Sequence, residues 1–279
     1  MEILKIEGLC KKYPAFSLKN VTFSMESGTV MGFIGRNGAG KTTTLKSMLR
    51  LVHPDAGHVE LCRMDVAEQE LAVKAQIGFV TGSAAYYPRK RLGQLTAATR
   101  RFYPNWDEAR YQDCLRRFAL DEGKRVSELS EGMKVKYQLA LAMSHHAKLL
   151  ILDEPTSGLD PAARDDLLGL FLELVERDGA SVLFSTHITS DLDACADTIT
   201  YIRNGEIFAS EARRAFTERY RYLRADEGAV LPELAAKLIA PRRHQGEIEG
   251  LLRTADAPEA GSPATLEQIM VHLEREVEA

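Results

Sequence analysis

The sequence predicts an α/β fold that is interrupted by a helical insertion. Short apolar runs, which indicate buried strands, alternate with helical patterns in the first and last thirds of the chain. Between about residues 82 and 145 the pattern becomes mainly helical, with few β-branched runs. Because alternating strands and helices are typical of a parallel sheet covered by helices, we expect one α/β core into which the helical segment is inserted.

The composition limits the class of protein. The chain has 279 residues, 45% of them hydrophobic, and a net charge of −4, so its overall charge does not favour nucleic acid as a partner. No apolar run approaches the roughly 18–20 residues that span a bilayer, and the N-terminus lacks the apolar stretch of a signal peptide. Four widely separated cysteines predict neither a disulfide framework nor a metal site: Cys10, Cys62, Cys114 and Cys195. We therefore expect a reduced, cytosolic location, with a separate subunit for any role at a membrane.

Strand patterns in the first third lead up to a glycine-rich loop. Five runs have the alternation or the apolar character of strands: residues 1–8, 18–25, 30–34, 58–61 and 77–80. Residues 41–51 contain helix formers and apolar residues at helical spacing. A strand, a glycine loop and a helix are therefore predicted in that order.

The rest of the core alternates between the same two patterns. Helices are predicted over residues 107–120 and 161–177, and Asp160-Pro161 supplies an N-cap and a suitable first turn for the second helix. Strands are predicted over residues 149–152, 181–186, 198–203 and 206–209. The last two flank Asn204-Gly205, which is a strong hairpin signal.

Residues 210–279 differ from the core in composition. Residues 255–264 are rich in Ala, Pro, Gly and Ser, which is typical of a flexible linker. Thr265 to Gln268 fit a capping box, after which apolar residues share one helical face: Leu266, Ile269, Met270, Leu273 and Val277. We predict that this face packs against the core rather than binding a partner.

The glycine-rich loop carries a nucleotide-binding pattern. Residues Gly35 to Thr42 read Gly-Arg-Asn-Gly-Ala-Gly-Lys-Thr, which fits G-x-x-x-x-G-K-[ST]. Glycines let the backbone wrap a phosphate without a side-chain clash, and the N–H groups of the following helix N-terminus point at the anion. Lys41 is predicted to reach the β- and γ-phosphates, and the Thr42 hydroxyl to bind Mg²⁺.

Two carboxylates close a buried strand downstream of this loop. Asp153 and Glu154 follow residues 149–152, a position that suits a carboxylate holding Mg²⁺ beside a phosphate loop. We predict Asp153 as the metal-linked residue, and Glu154 as the base or the group that orients the attacking water. His187 also follows a strand, where a neutral imidazole can hydrogen-bond the γ-phosphate or that water.

A further phosphate-binding candidate lies at the start of a helical stretch. In Leu129-Ser130-Glu131-Gly132-Met133, Ser130 suits an N-cap and Gly132 allows a backbone to approach closely. Such a helix start can bind phosphate. Taken alone, however, the pattern is more typical of a simple helix cap.

The order of the motifs is more specific than any one of them. Phosphate loop, Leu-Ser-x-Gly, apolar strand with Asp-Glu, Ser-Gly-Leu-Asp and strand-His follow one another, and over about residues 2–220 the chain resembles the ATP-binding subunit of an ABC transporter. The resemblance implies a P-loop NTPase fold, in which an ABC ATPase core carries an antiparallel β subdomain and a helical insertion. It also implies an ATPase domain over residues 1–220 and a C-terminal extension over residues 221–279.

The resemblance assigns roles to individual residues. Lys41, Glu154 and His187 would be catalytic, while Thr42 and Asp153 would bind Mg²⁺. Tyr13 lies where these subunits place an aromatic ring that stacks on adenine. The full set of residues that would bind ATP is Tyr13, Gly35, Arg36, Asn37, Gly38, Ala39, Gly40, Lys41, Thr42, Thr43, Ser130, Gly132 and Asp160.

The family mechanism implies partners. Two ATPase subunits pair head to tail, as a homodimer or a heterodimer, and each ATP is held between one subunit's phosphate loop and the other's signature motif. Ser130 and Gly132 would thus serve the partner's ATP. Closure of the dimer would drive an integral membrane permease, on which the helical insertion would dock at the inner face of the cell membrane. No nucleic acid partner is expected.

The chain departs from the family pattern in two motifs. The family usually has Gln after the strand at residues 77–80, where it contacts Mg²⁺ and links the site to the permease, but Gly82 stands there. In the signature motif Glu131 and Met133 replace Gly and Gln, and a carboxylate at residue 131 disfavours phosphate unless it points away. Residues 102–107 resemble a bacterial subgroup of small exporter-type ATPases that serve antibiotic and peptide export.

Two alternative functions remain open from the sequence. The first is a soluble ABC-type ATPase without a permease, which would act in the assembly of other molecules or on nucleic acid. Translation-type members usually carry two cassettes and repair-type members a long coiled coil, and this chain has neither. The second is a degenerate ATP-binding partner in a heterodimer, which Gly82 favours and Glu154 and His187 oppose.

Overall fold

A computed structural model describes residues 1–81 and 87–276. The chain divides into two compact units, Met1–Ser210 and Glu211–Ala279, so the second unit begins before residue 221, where the sequence analysis put the start of the extension. No helix in the described ranges is long and apolar enough to cross a membrane.

The first unit contains two sheets. Its strands are β1 (Glu2–Tyr13), β2 (Phe16–Glu26), β3 (Val30–Ile34), β4 (Ala56–Leu61), β5 (Met64–Asp65), β6 (Ile77–Thr81), β7 (Leu149–Asp153), β8 (Ser181–Thr186), β9 (Thr198–Arg203) and β10 (Glu206–Ala212). An antiparallel sheet has the order β2-β1-β4-β5. A six-stranded sheet has the order β10-β9-β3-β8-β7-β6, and its strands from β9 to β6 are parallel. The predicted α/β core with an antiparallel β subdomain is confirmed.

Helices connect these strands; those that begin at residues 41, 108 and 161 were predicted, and those over residues 70–74 and 189–195 were not. They are α1 (Lys41–Met48), α2 (Glu70–Lys74), α3 (Leu92–Thr99), α4 (Glu108–Arg117), α5 (Glu131–Ser144), α6 (Pro161–Asp178) and α7 (Thr189–Cys195). Helices α3, α4 and α5 lie between β6 and β7 in the chain and form the helical insertion. Helix α1 ends at Met48 rather than near residue 51, and Arg50 has φ 53°, which is incompatible with a continuing right-handed helix.

The central strands bring the predicted site residues to one edge of the sheet. Every residue of β3 and β8 is buried, as expected for strands covered on both faces. The register pairs Ile34 with Thr186 and Asp153 with Ser185. Because these strands are parallel, the segments that follow β3, β7 and β8 emerge side by side.

The second unit is a small α/β unit that the sequence analysis did not predict. Its strands are β11 (Tyr220–Asp226), β12 (Ile239–His244), β13 (Glu247–Arg253) and β14 (Ser262–Pro263), in the order β12-β13-β11-β14. Its helices are α8 (Arg213–Glu218), α9 (Pro232–Ala235) and α10 (Leu266–Glu276).

The predicted linker over residues 255–264 belongs to this second unit. Strand β14 pairs with β11, and Ala257 and Ala260 pack against a buried cluster that contains Leu252, so the linker prediction is wrong. The predicted capping box is confirmed by hydrogen bonds in both directions between Thr265 and Gln268. Its predicted stripe is buried from Leu266 to Leu273, and Val277 lies outside the described residues.

Candidate nucleotide site

The phosphate loop connects β3 to α1, and its glycines are sterically required. Gly40 precedes α1 with φ 115°, and a Cβ added there would lie 2.7 Å from Leu18 and 2.8 Å from Phe16. A Cβ at Gly35 would lie 2.4 Å from the carbonyl oxygen of Ile202. A side chain at either position would clash with β2 or β9, so glycine is what lets the loop lie against these strands.

The Lys41 ammonium is held over this loop by a backbone carbonyl oxygen and a carboxylate. Its side chain is only 5% exposed, and Nζ donates a hydrogen bond to the Gly35 carbonyl oxygen at 2.7 Å. The same Nζ lies 3.2 Å from Glu154 Oε1. Because a buried charge is costly without a partner, the Glu154 carboxylate supplies the negative charge that the buried Lys41 ammonium requires.

Asp153 gathers hydroxyl groups at the end of β7. The Thr42 hydroxyl donates to Asp153 Oδ1 at 3.0 Å, and the Ser185 hydroxyl donates to the same oxygen at 2.7 Å. Mg²⁺ prefers oxygen ligands and is commonly held by one or two protein groups together with phosphate oxygens. The Asp153 carboxylate and the two hydroxyls are oxygen donors of the kind that Mg²⁺ prefers.

Glu154 connects Lys41 to His187. Its Oε2 lies 2.8 Å from His187 Nδ1, while its backbone N–H donates to the Ser185 hydroxyl at 3.0 Å. The residue has φ 51°, in the left-handed region, which costs roughly 1 kcal/mol or more for a residue with a side chain. This backbone conformation directs the Glu154 carboxylate to lie between the lysine and the histidine.

A buried aspartate that the sequence analysis did not identify supports two of the site segments. Asp191, on α7, is fully buried and accepts hydrogen bonds from the hydroxyls of Thr156 at 2.7 Å and Thr186 at 3.2 Å. Arg164 Nε lies 3.8 Å from its other oxygen. Because Thr186 directly precedes His187, Asp191 fixes the segment that carries the histidine. An aspartate beside Leu192 in the first turn of a helix is the signal that could have revealed it.

An open cavity of about 450 Å³ lies at the phosphate loop. Most of the predicted nucleotide residues are in its lining: Arg36, Asn37, Gly38, Gly40, Lys41, Thr42, Thr43, Glu154 and His187. Phe16 and Ser157 also line it, although neither was predicted. Tyr13 is not in the lining; it ends β1 opposite Phe16, and the Lys11 ammonium lies 5.8 Å from its ring centroid. The predicted residues Gly35, Ala39 and Asp153 adjoin the lining residues in the chain but are not in the lining themselves.

Three further predicted residues lie near one another but not in this cavity. Ser130 caps α5, accepting a hydrogen bond from the Met133 N–H at 3.3 Å, and Asp160 caps α6 in the same way. A Cβ at Gly132 would lie 3.3 Å from Leu159, next to Asp160 in the chain. None of the three lines the cavity. Gly82 lies outside the described residues.

Sequence comparisons place the chain in a family. The family model described as ABC transporter matches residues 18–157. The chain is 30% identical to the ABC transporter ATP-binding protein YtrB of Bacillus subtilis, over 68% of this chain and 65% of YtrB. It is 31% identical to NatA of the same species, over 76% of this chain and 88% of NatA. A match at 27% identity to the bacitracin transport ATP-binding protein BcrA of Enterococcus faecalis covers 91% of this chain and 84% of BcrA.

Structural comparisons agree with this assignment. An ATP-binding subunit of an ABC transporter has a TM-score of 0.68 and 30% identity, covering 77% of this chain and 93% of that one. A dimeric ATP-binding cassette, MJ0796 bound to ADP and Pi, has a TM-score of 0.66 at 23% identity, covering 75% of this chain and 98% of its own. The chain belongs to the ABC transporter family, in which it is an ATP-binding subunit.

Proposed function

We propose that this chain binds and hydrolyses MgATP in a head-to-tail dimer, and thereby drives a separate membrane permease. The observation that carries the proposal is the contact of Glu154 with both Lys41 and His187 at the mouth of the phosphate loop. ATP fits the cavity because the loop glycines leave room for phosphates and the start of α1 favours anions. The bound Mg²⁺ would offset phosphate charge and would be held by Thr42 and Asp153.

The catalytic roles follow from these contacts. Lys41 would exchange its contact with Glu154 for the β- and γ-phosphates, which frees the Glu154 carboxylate to orient water. His187, held by the Thr186 segment, would hydrogen-bond the γ-phosphate or that water. Glu154 would take the proton of the water as it attacks the γ-phosphorus in line with the departing ADP oxygen.

A second subunit is proposed because the cavity lacks part of the predicted set. Ser130, Gly132 and Asp160 do not line the cavity of their own chain. In a head-to-tail pair they would reach the nucleotide held by the partner. The proposal is compatible with either two copies of this chain or this chain with another ATPase subunit.

The permease would dock on the helical insertion from the inner face of the cell membrane. Tyr87 and Phe102 in this insertion are 71% and 77% exposed, and we propose them as part of this docking surface. We expect Phe102→Ser to abolish the stimulation of hydrolysis by the permease and to leave the basal rate unchanged. Stimulation equal to that of the wild type would contradict this docking surface.

We also propose that the transport direction is export. Residues 102–107 resemble exporter-type ATPases, and BcrA, which is named for bacitracin transport, aligns with 91% of this chain. A strain lacking this chain should become more sensitive to a peptide antibiotic such as bacitracin, and the wild-type chain but not Glu154→Gln should restore tolerance. Unchanged sensitivity to such antibiotics would contradict this direction and substrate class.

The proposed activity is tested by comparing the purified wild type with Glu154→Gln in the presence of Mg²⁺. We expect turnover to fall at least about 100-fold, since the base is removed, while ATP binding persists and the variant accumulates as an ATP-bound dimer in light scattering. Glu176→Gln, on the exposed face of α6, is the matched control and should behave as the wild type. Wild-type turnover in Glu154→Gln, or a variant that stays monomeric with ATP, would contradict the proposal.

A further inference from the structure

A buried glutamine joins the helical insertion to the sheet. Gln138 on α5 is 4% exposed, and its carboxamide makes two hydrogen bonds with the backbone of Thr81. The Thr81 N–H donates to Gln138 Oε1 at 3.0 Å, and Gln138 Nε2 donates to the Thr81 carbonyl oxygen at 3.1 Å. Because β6 is the outer strand of its sheet, the carboxamide takes the position where a further strand would pair.

A second contact holds α5 against the same strand. A Cβ added to Gly78 would lie 2.4 Å from the Ala142 Cβ, so helix and strand meet without an intervening side chain. Gln138 and Ala142 are one helical turn apart, and Gly78 and Thr81 lie on the same strand. The helix is thus fixed to β6 at two points, and a shift of the strand end moves the helix with it.

The strand end is in turn linked to the nucleotide site. Thr81 pairs in register with Asp153, and Asp153 accepts the hydrogen bond of the Thr42 hydroxyl at 3.0 Å. At its N-terminal end α5 is capped by Ser130, the residue proposed to contact the partner's ATP. Gln138 therefore lies between the chain's own nucleotide site and the surface it offers to the partner.

The choice of residue also points to a positioning role. Val135, Leu141 and Ala142, which share a helical face with Gln138, are buried and apolar, so an apolar side chain would suit this face of the helix. A buried amide contributes specificity of geometry more than net stability, and it is costly when a partner is lost.

We propose that Gln138 is a positioning residue that couples the two ATP sites of the dimer. This inference rests on the proposed head-to-tail function. A nucleotide that moves Thr42 and Asp153 shifts the end of β6, and the paired hydrogen bonds of Gln138 pass this shift to α5 and Ser130.

Hydrogen exchange of the full chain with MgADP tests this coupling without requiring a dimer, because ADP lacks the γ-phosphate that closes the head-to-tail pair. In the wild type, MgADP should slow exchange of the amides of residues 35–42 and change exchange of residues 130–137 by about fivefold, a typical coupling between sites. In Gln138→Met the first effect should persist and the second should vanish.

Two further variants separate coupling from simple loss of structure. Gln138→Glu keeps an acceptor for the Thr81 N–H and should retain part of the response, even if Gln138→Met folds poorly. Gln112→Met, which removes an exposed hydrogen bond to Glu108 in the same insertion, should respond as the wild type. In steady-state hydrolysis, Gln138→Met should lower the Hill coefficient for ATP towards 1.

The same measurements separate failure of the coupling from failure of the proposed function. A full response of residues 130–137 in Gln138→Met, or no response there in the wild type while residues 35–42 are protected, would overturn the coupling alone. No protection of residues 35–42 in the wild type would overturn the proposed function and the coupling with it.

Discussion

The starts of α1 and α5 are both glycine-containing helix N-termini, yet they present different chemistry to a phosphate. Helix α1 begins after Gly40, with no capping side chain and no acidic residue in its first turn. Helix α5 begins after Ser130, whose hydroxyl already accepts a backbone N–H, and its first turn carries Glu131. The Glu131 carboxylate is paired with the Lys134 ammonium at 2.6 Å.

The difference shows which of the two can bind a nucleotide alone. A helix N-terminus attracts an anion through its unpaired N–H groups and its dipole. The first residues of α1 line the cavity, and Lys41 adds a positive charge there. At α5 the capping hydroxyl and Glu131 already occupy that role, so a phosphate must compete with them. We infer that α1 supplies the binding energy and that α5 completes the site only when it meets a nucleotide already bound.

The largest change in nucleotide binding is expected from removing the lysine at the start of α1. Lys41→Ala should weaken MgATP binding about 100-fold, or about 2.7 kcal/mol, because a buried charge-assisted contact to the phosphates is lost and Glu154 is left near them. Titration calorimetry of the monomer measures the change. Lys46→Ala, in the last turn of the same helix, is the control and should bind as the wild type. An affinity within twofold of the wild type in Lys41→Ala would show that α1 does not dominate binding.

An intermediate effect on catalysis is expected from changing Asp191, the buried aspartate that holds the Thr186 segment. Asp191→Asn should lower kcat about tenfold with little change in KM, since the Thr186 segment that carries His187 loses its charged anchor and Arg164 is left without its carboxylate. Steady-state kinetics give the split, and Asp165→Asn on the exposed face of α6 serves as the control. An equal rise in KM with unchanged kcat would assign Asp191 to binding instead.

The smallest effect is expected from neutralising the carboxylate at the start of α5. Glu131→Gln should strengthen ATP-dependent dimerisation of the Glu154→Gln chain about threefold, because one negative charge near the partner's phosphates is removed. The gain should shrink at high salt, where exposed charges are screened. Sedimentation at two salt concentrations measures it, with Glu128→Gln as the neighbouring control. Unchanged dimerisation in Glu131→Gln would mean that the carboxylate points away from the phosphates, and weaker dimerisation would contradict the repulsion.

Local patterns allowed much of the core to be predicted. The strands around the phosphate loop, the α6 cap at Asp160 and the hairpin at Asn204-Gly205 depend on residues close in sequence, and all are confirmed. At the hairpin both residues have positive φ, and a Cβ on Gly205 would lie 1.9 Å from the Ser17 carbonyl oxygen. Such turn chemistry is visible in a short window of sequence.

The features that were missed depend on contacts between distant segments. Phe16 lines the cavity because the β1–β2 hairpin carries it there, and Asp191 joins two loops that are far apart in sequence. The sheet of the second unit has short, charged strands whose pattern resembles a loop. Arg224, for example, is ion-paired with Glu247 across two strands, a pairing that no local window contains.

Cross-linking tests directly whether α5 of one chain completes the nucleotide site of another. Asn37→Cys and Glu131→Cys are introduced into separately tagged Glu154→Gln chains, which are mixed and treated with a short bifunctional thiol reagent. We expect a cross-link between the two tags that requires MgATP, with far less product in MgADP. Equal cross-linking with and without ATP, or products that join only Asn37→Cys chains to each other, would contradict a head-to-tail site.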